Sequence, residues 1–139
     1  MQTKYTIRSA EDMIQLGKQL VQSGYKKFWL TGELGAGKTH FTKGVAVGLG
    51  IDPDSVHSPT YVYFHEYDDK LLHVDMYRMT HEMQITTIGL DEKLQDYEYR
   101  CIEWPKKEWS WWSWWADIVF LDFLIVDAYT REAVIRTVI

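Results

Sequence analysis

The stretch Lys27-Phe-Trp-Leu-Thr-Gly-Glu-Leu-Gly-Ala-Gly-Lys-Thr39 decides how this chain is read. It begins as a short apolar run, Lys27-Phe-Trp-Leu-Thr31, with the composition of a buried strand. It continues as Gly32-Glu-Leu-Gly-Ala-Gly-Lys-Thr39, which satisfies the pattern G-x-x-x-x-G-K-[ST] at every fixed position. Glycines permit a tight turn whose backbone N–H groups all point inward, a nest for anionic oxygens. Phe41, Val45, Val47 and Leu49 then recur as in a helix, and Gly50 stops it, so the positive end of a helix faces the same nest. Lys38 is placed to reach β- and γ-phosphates, and the Thr39 hydroxyl to ligate Mg²⁺.

Working outward, Ser9-Ala-Glu-Asp12 reads as a helix start, a serine cap with a carboxylate three residues on. Met13, Leu16, Leu20 and Val21 follow at helical spacing, and Gly24 ends the helix. Downstream, residues 61–67 and 70–75 flank Asp68-Asp69 as a hairpin. Residues 81–94 read as helical around Gly89, and 100–104 as a buried strand stopped by Pro105. Residues 117–127 and 131–139 read as a terminal strand pair turned at Asp127-Ala-Tyr-Thr-Arg131. The expected fold is a single α/β domain of the P-loop type over residues 1–139, with a central mixed sheet flanked by helices and a C-terminal strand pair.

Composition sets limits. A chain of 139 residues, 46% hydrophobic and 25% charged, fits one domain with a real core and argues against disorder. A net charge of −5 argues against a stand-alone nucleic-acid binder, which needs surplus Lys and Arg to neutralise phosphates. The single cysteine, Cys101, excludes an internal disulfide framework and a cysteine zinc site, and its strand-like setting points to core packing. No apolar run reaches the roughly 18 residues of a membrane span, and the N-terminal residues lack a signal-peptide core. The expected location is the cytoplasm.

A phosphate loop needs a carboxylate to hold the metal and a group to position water. Leu71-Leu-His-Val-Asp75 and Cys101-Ile-Glu103 each end an apolar run in an acid, where ligand sites collect in open α/β sheets. Ser58-Pro-Thr-Tyr61, with the hydroxyl of Thr60, stands where such proteins sense the γ-phosphate. The histidines at 40, 57, 65, 73 and 81 show no metal-ligand spacing and read as surface or packing residues, with His73 alone near the site. Six of the seven tryptophans fall between 104 and 115 at spacings that no helix or strand sorts to one face. Either a contact surface or a packed local cluster accounts for them.

Taken in order, the phosphate loop, Ser58-Pro-Thr-Tyr61, His73-Val-Asp-Met-Tyr-Arg78 and Glu103-Trp104 resemble the bacterial TsaE (YjeE) family over almost the whole chain. That family is the small P-loop ATPase of the machinery that installs threonylcarbamoyl on adenosine 37 of tRNAs reading ANN codons. The resemblance implies a slow, Mg²⁺-dependent ATPase working with TsaB and TsaD, touching tRNA only through that complex. It implies that Glu33, Leu34, Gly35, Ala36, Gly37, Lys38 and Thr39 hold the nucleotide phosphates, that Thr39 and Glu103 hold Mg²⁺, and that Asp75 and Thr60 complete the catalytic set. It places Trp104 near the nucleotide and makes Ser9 and Arg131 further nucleotide contacts. His40, where the family has Thr or Ser, and the tryptophan run depart from the family pattern. A small-molecule or nucleotide kinase is the alternative, but Arg78, Arg100, Arg131 and Arg136 form no lid-like segment. A GTP switch lacks the Asn-Lys-x-Asp that reads guanine.

Overall fold

The apolar strand ahead of the phosphate loop lies in the middle of a seven-stranded sheet in the computed structural model, which describes residues 2–106, 108–110 and 115–137. In chain order the elements are β1 (Gln2–Ile7), α1 (Ala10–Gln22), β2 (Lys27–Gly32), α2 (Lys38–Gly48), β3 (Phe64–Tyr67), β4 (Leu71–Asp75), α3 (Met83–Thr87), α4 (Leu90–Asp96), β5 (Tyr99–Glu103), β6 (Ile118–Ile125) and β7 (Arg131–Thr137). The sheet order is β1-β7-β6-β2-β5-β4-β3. Strand β2 runs parallel to β5 and β6, and β4 runs parallel to β5. The outer pairs, β3 with β4, β7 with β6 and β1 with β7, are antiparallel. The expected mixed sheet and terminal strand pair are both present.

Helices α1 and α2 cover one face. The Ser9 hydroxyl accepts the Asp12 N–H at 3.1 Å, and the Asp12 carboxylate accepts the Arg8 N–H at 3.0 Å, so the serine cap forms as the spacing predicts. Met13, Leu16, Leu20 and Val21 are buried beneath it. The two helices cross at glycines: a Cβ on Gly44 would lie 2.0 Å from the Ile14 carbonyl oxygen, and one on Gly17 would lie 2.3 Å from that of Phe41. Backbone therefore meets backbone, with no side chain between. Phe28, Leu30, Leu71, Cys101 and Phe123 rise from the sheet into this core, so Cys101 is a packing residue as its setting suggests.

The other face carries much shorter cover. The single helical segment expected around Gly89 is two helices of five and seven residues, because Gly89 takes a left-handed φ of 76° and starts α4 afresh. Met79, Ile85, Leu90 and Leu94 pack on Trp29, Leu72, Val74 and Ile102. Trp109, Trp115 and Phe120 fill in beside them, half-buried. The Trp115 ring lies 6.4 Å from that of Trp29, and the Arg100 guanidinium sits 4.4 Å from the Trp115 ring. Part of the tryptophan run is thus core; residues 111–114 lie outside the described residues.

Two boundaries differ from expectation. Strand β1 carries no sequence signal, because four of its six residues are exposed and only Ile7 is buried. Its pairing with β7, from Gln2↔Arg136 to Ile7↔Arg131, holds it in place. Strand β3 starts at Phe64 and not at 61, since the N–H groups of Val62 and Tyr63 donate to the Pro59 carbonyl and Tyr63 turns at φ 70°.

Candidate functional site

The carboxyl ends of β2, β4 and β5 open onto one cleft of about 680 Å³. Residues 33–35 and 37–39 form its floor, without Ala36, and lead into α2, whose N-cap is Gly37 at φ 117°. No side chain caps this helix, so its first N–H groups stay available to an anion. A Cβ at position 37 would come within 2.6 Å of Met13 Cε, which ties the loop to α1. Ala36 is buried under the loop, while Leu34 at its tip is 98% exposed. The Lys38 Nζ donates to the Gly32 carbonyl and sits 5.0 Å from the Trp104 ring. Burial lowers the Lys38 pKa, and the carboxylates of Glu103 and then Asp75 counter it.

Asp75 and Glu103 stand opposite each other in the β4–β5 register. Their surroundings differ. Asp75 Oδ2 accepts the Thr60 hydroxyl at 3.0 Å and Oδ1 accepts the Tyr77 N–H at 2.8 Å, so both oxygens are engaged. Thr60 also meets the Ser58 hydroxyl at 2.8 Å, which ties this loop to the β4 acid. Burial raises the Asp75 pKa and the neighbouring Glu103 adds to the rise, against the bonds from Tyr77 and Thr60. Glu103 Oε2 pairs with His73 Nε2. Glu103 Oε1 makes no hydrogen bond among the described residues. Glu103 and Thr39 both line the cleft, and carboxylate and hydroxyl oxygens are the donor type that a hard cation such as Mg²⁺ takes.

Of the residues singled out from sequence, Glu33, Leu34, Gly35, Gly37, Lys38, Thr39, Thr60, Asp75 and Glu103 line this cleft, and Trp104 forms part of its wall. Ser9 and Arg131 do not. They line an adjoining hollow of about 290 Å³ that shares Gly35, Gly37 and His40 with the cleft. The Ser9 hydroxyl is spent on the α1 cap, and Arg131 Nε donates to the Gly35 carbonyl at 3.2 Å.

Residues 7–132 match the family described as Threonylcarbamoyl adenosine biosynthesis protein TsaE. The chain belongs to the TsaE family. Among its TsaE relatives, proteins named tRNA threonylcarbamoyladenosine biosynthesis protein TsaE, that of Bacillus subtilis is 47% identical over 78 residues, or 54% of this chain and 48% of the relative. The Aquifex aeolicus TsaE is 39% identical over 79 residues, 52% of this chain and 59% of the relative. The Treponema pallidum TsaE is 35% identical over 105 residues, covering 72% and 76%. The chain thus spans about half the length of the Bacillus relative and three-fifths of the Aquifex one. The crystal structure of Bacillus subtilis YdiB superposes with a TM-score of 0.72 at 26% identity, covering 99% of this chain and 86% of that one.

Tyr77, which the sequence offered only inside the His73–Arg78 motif and without a role, lines this TsaE-family cleft and meets the Trp104 ring at 5.6 Å. His73 is fully buried behind Glu103. The signal for His73 was its alternation with Leu71 and Asp75 along β4, which puts these side chains on the face covered by α1 and α2.

Proposed function

We propose that this chain binds ATP with Mg²⁺ in the cleft over residues 33–39 and hydrolyses it slowly. The hydrolysis serves threonylcarbamoyl modification of adenosine 37 in tRNAs reading ANN codons, together with TsaB and TsaD. The observation that carries the reading is the convergence of Lys38, Thr39, Asp75 and Glu103 on one cleft at the uncapped start of α2. The loop N–H groups and Lys38 hold the phosphates. Thr39 and Glu103 Oε1 hold the Mg²⁺, which when bound neutralises charge on the β- and γ-phosphates. Asp75 holds Thr60 at the edge where the γ-phosphate ends, so the two act as one unit in orienting water. The family membership and the names of the relatives support the tRNA-modification role. No membrane role is proposed; among the described residues no helix is long and apolar enough to cross a bilayer.

Slow turnover follows from where the arginines are spent. Arg131 serves the Gly35, Asp127 and Thr130 carbonyls, and Arg78 stacks 5.0 Å from the Tyr61 ring. A positive group supplied in trans speeds such reactions by about 10³–10⁵, which is the part assigned to the TsaB–TsaD pair. Calorimetric titration of ATP should show Lys38→Ala weakening affinity at least about tenfold, given the 1.5–3 kcal/mol of a charge-assisted hydrogen bond. Phosphate release should rise when TsaB and TsaD are added. Unchanged affinity in the variant overturns the loop assignment. Transfer of the γ-phosphate to a small acceptor, with release indifferent to the pair, favours a kinase.

A further inference from the structure

Glu103 is buried at 3% exposure next to a lysine, and its side chain has three torsions to settle. A carboxylate so placed is drawn to a cation beside it, here Lys38, whose pKa the Glu103 charge raises against the effect of burial. The structure shows a different arrangement. Lys38 is held by the Gly32 carbonyl, and Glu103 Oε2 is held by His73 Nε2 from behind. His73 is fully buried, two residues before Asp75 on β4 and in register with Cys101, two residues before Glu103 on β5. Its imidazole rests against the Tyr67 ring, with centroids 6.3 Å apart. The Tyr67 hydroxyl is itself pinned by the backbone N–H and carbonyl of His57, each at 3.2 Å. With the Glu103 carboxylate as acceptor, the proton is assigned to Nε2, and the buried Nδ1 has no partner among the described residues. An unpartnered buried polar atom is costly, and the bond to Glu103 is the hydrogen bond that the described residues give this imidazole.

We infer that His73 is a positioning residue for Glu103: its Nε2–H fixes Oε2, keeps the carboxylate off Lys38, and leaves Oε1 for a cation in the cleft. His73 itself touches neither nucleotide nor metal. The inference rests on the nucleotide–Mg²⁺ reading of the cleft. Outer partners of metal ligands are worth about 10–100-fold in metal affinity, and that is the effect expected here.

The test is calorimetric binding of a non-hydrolysable ATP analogue, with Mg²⁺ and with EDTA, to the wild type, His73→Leu and His73→Gln, alongside thermal melts. Glutamine keeps an N–H at a reach close to that of Nε2. The wild type gains affinity with Mg²⁺. His73→Leu should lose about 10–100-fold of that gain with its EDTA affinity unchanged, and His73→Gln should recover most of it. A folded His73→Leu that keeps the Mg²⁺ gain overturns the inference, as does a folded His73→Gln that behaves like leucine. If His73→Leu does not fold, His73→Asn replaces it. Asparagine is too short to reach Glu103, so equal gains in the asparagine and glutamine variants overturn the inference. A wild type indifferent to Mg²⁺ overturns the reading of the cleft and this inference with it, which separates the two failures.

Discussion

The two faces of the sheet are covered in opposite ways. On one, the long helices α1 and α2 touch backbone to backbone at Gly17 and Gly44. On the other, helices of five and seven residues leave gaps that Trp109, Trp115 and Phe120 fill. The buried polar and charged residues Lys38, Thr42, His73, Asp75 and Glu103 all belong to the helix-covered side or its rim. A glycine crossing leaves no side chain to rearrange, so α1 can fix the start of α2 and the loop before it. Large rings on the opposite face supply bulk where helix is lacking, and they tolerate more change. Precision and bulk are thus divided between the faces.

The largest effect that tests this division is expected from Gly44→Ala. A methyl group would meet the backbone of Ile14, which cannot swing aside, so stability should fall by about 3 kcal/mol or more. Urea unfolding measures it, and a loss below about 1 kcal/mol would mean that the helices slide freely. On the other face, Trp115→Ala removes a half-buried ring from Trp29 and Arg100. It should cost about 1–2 kcal/mol and leave ATP affinity as it was. A parallel loss of affinity in calorimetry would show that the faces are coupled.

The smallest effect sharpens the electrostatic side of the comparison. Burial raises the Asp75 pKa above its unfolded value, so the ionised form opposes folding. Stability from the protonated form is full below the ordinary carboxylate pKa and is lost as pH rises through the raised one. Asp75→Asn stays neutral throughout. It should therefore melt higher than the wild type at neutral pH, and the gap should shrink on acidification. Melting both proteins at pH 7.5 and at pH 4 checks the sign, and an equal gap at both values removes the electrostatic explanation.

What could be read in advance follows the same division. Strand β2, the loop and α2 were legible because a short motif dictates their backbone, and α1 because its cap and apolar stripe are local. The pairing of Asp75 with Glu103 was legible only as two acids at strand ends; that they face each other depends on the β4–β5 register. The roles of Gly17 and Gly44 were hidden, since nothing local tells a glycine at a helix crossing from one in mid-helix. His73 read as a packing residue near the site because its partner lies on another strand. The tryptophan run obeys no period because its described members do different things: Trp104 walls the cleft, while Trp109 and Trp115 stop a gap in the far core.

The strand order also has a consequence for how the chain is made. Strand β2 finds its neighbours only in β5 and β6, and β1 pairs with β7 as far as Gln2↔Arg136. During translation the phosphate loop and α2 leave the ribosome well before either flank of the strand that anchors them. The packed pair α1 and α2, and after it the β3–β4 hairpin, can assemble early from neighbours in sequence. The rest must wait: β2 is bare on both edges until β5 has been added and on one edge until β6 has, and β1 lacks its partner until Arg136. Such distant pairings make for slow folding, and the nascent chain carries an unprotected apolar strand for most of its synthesis.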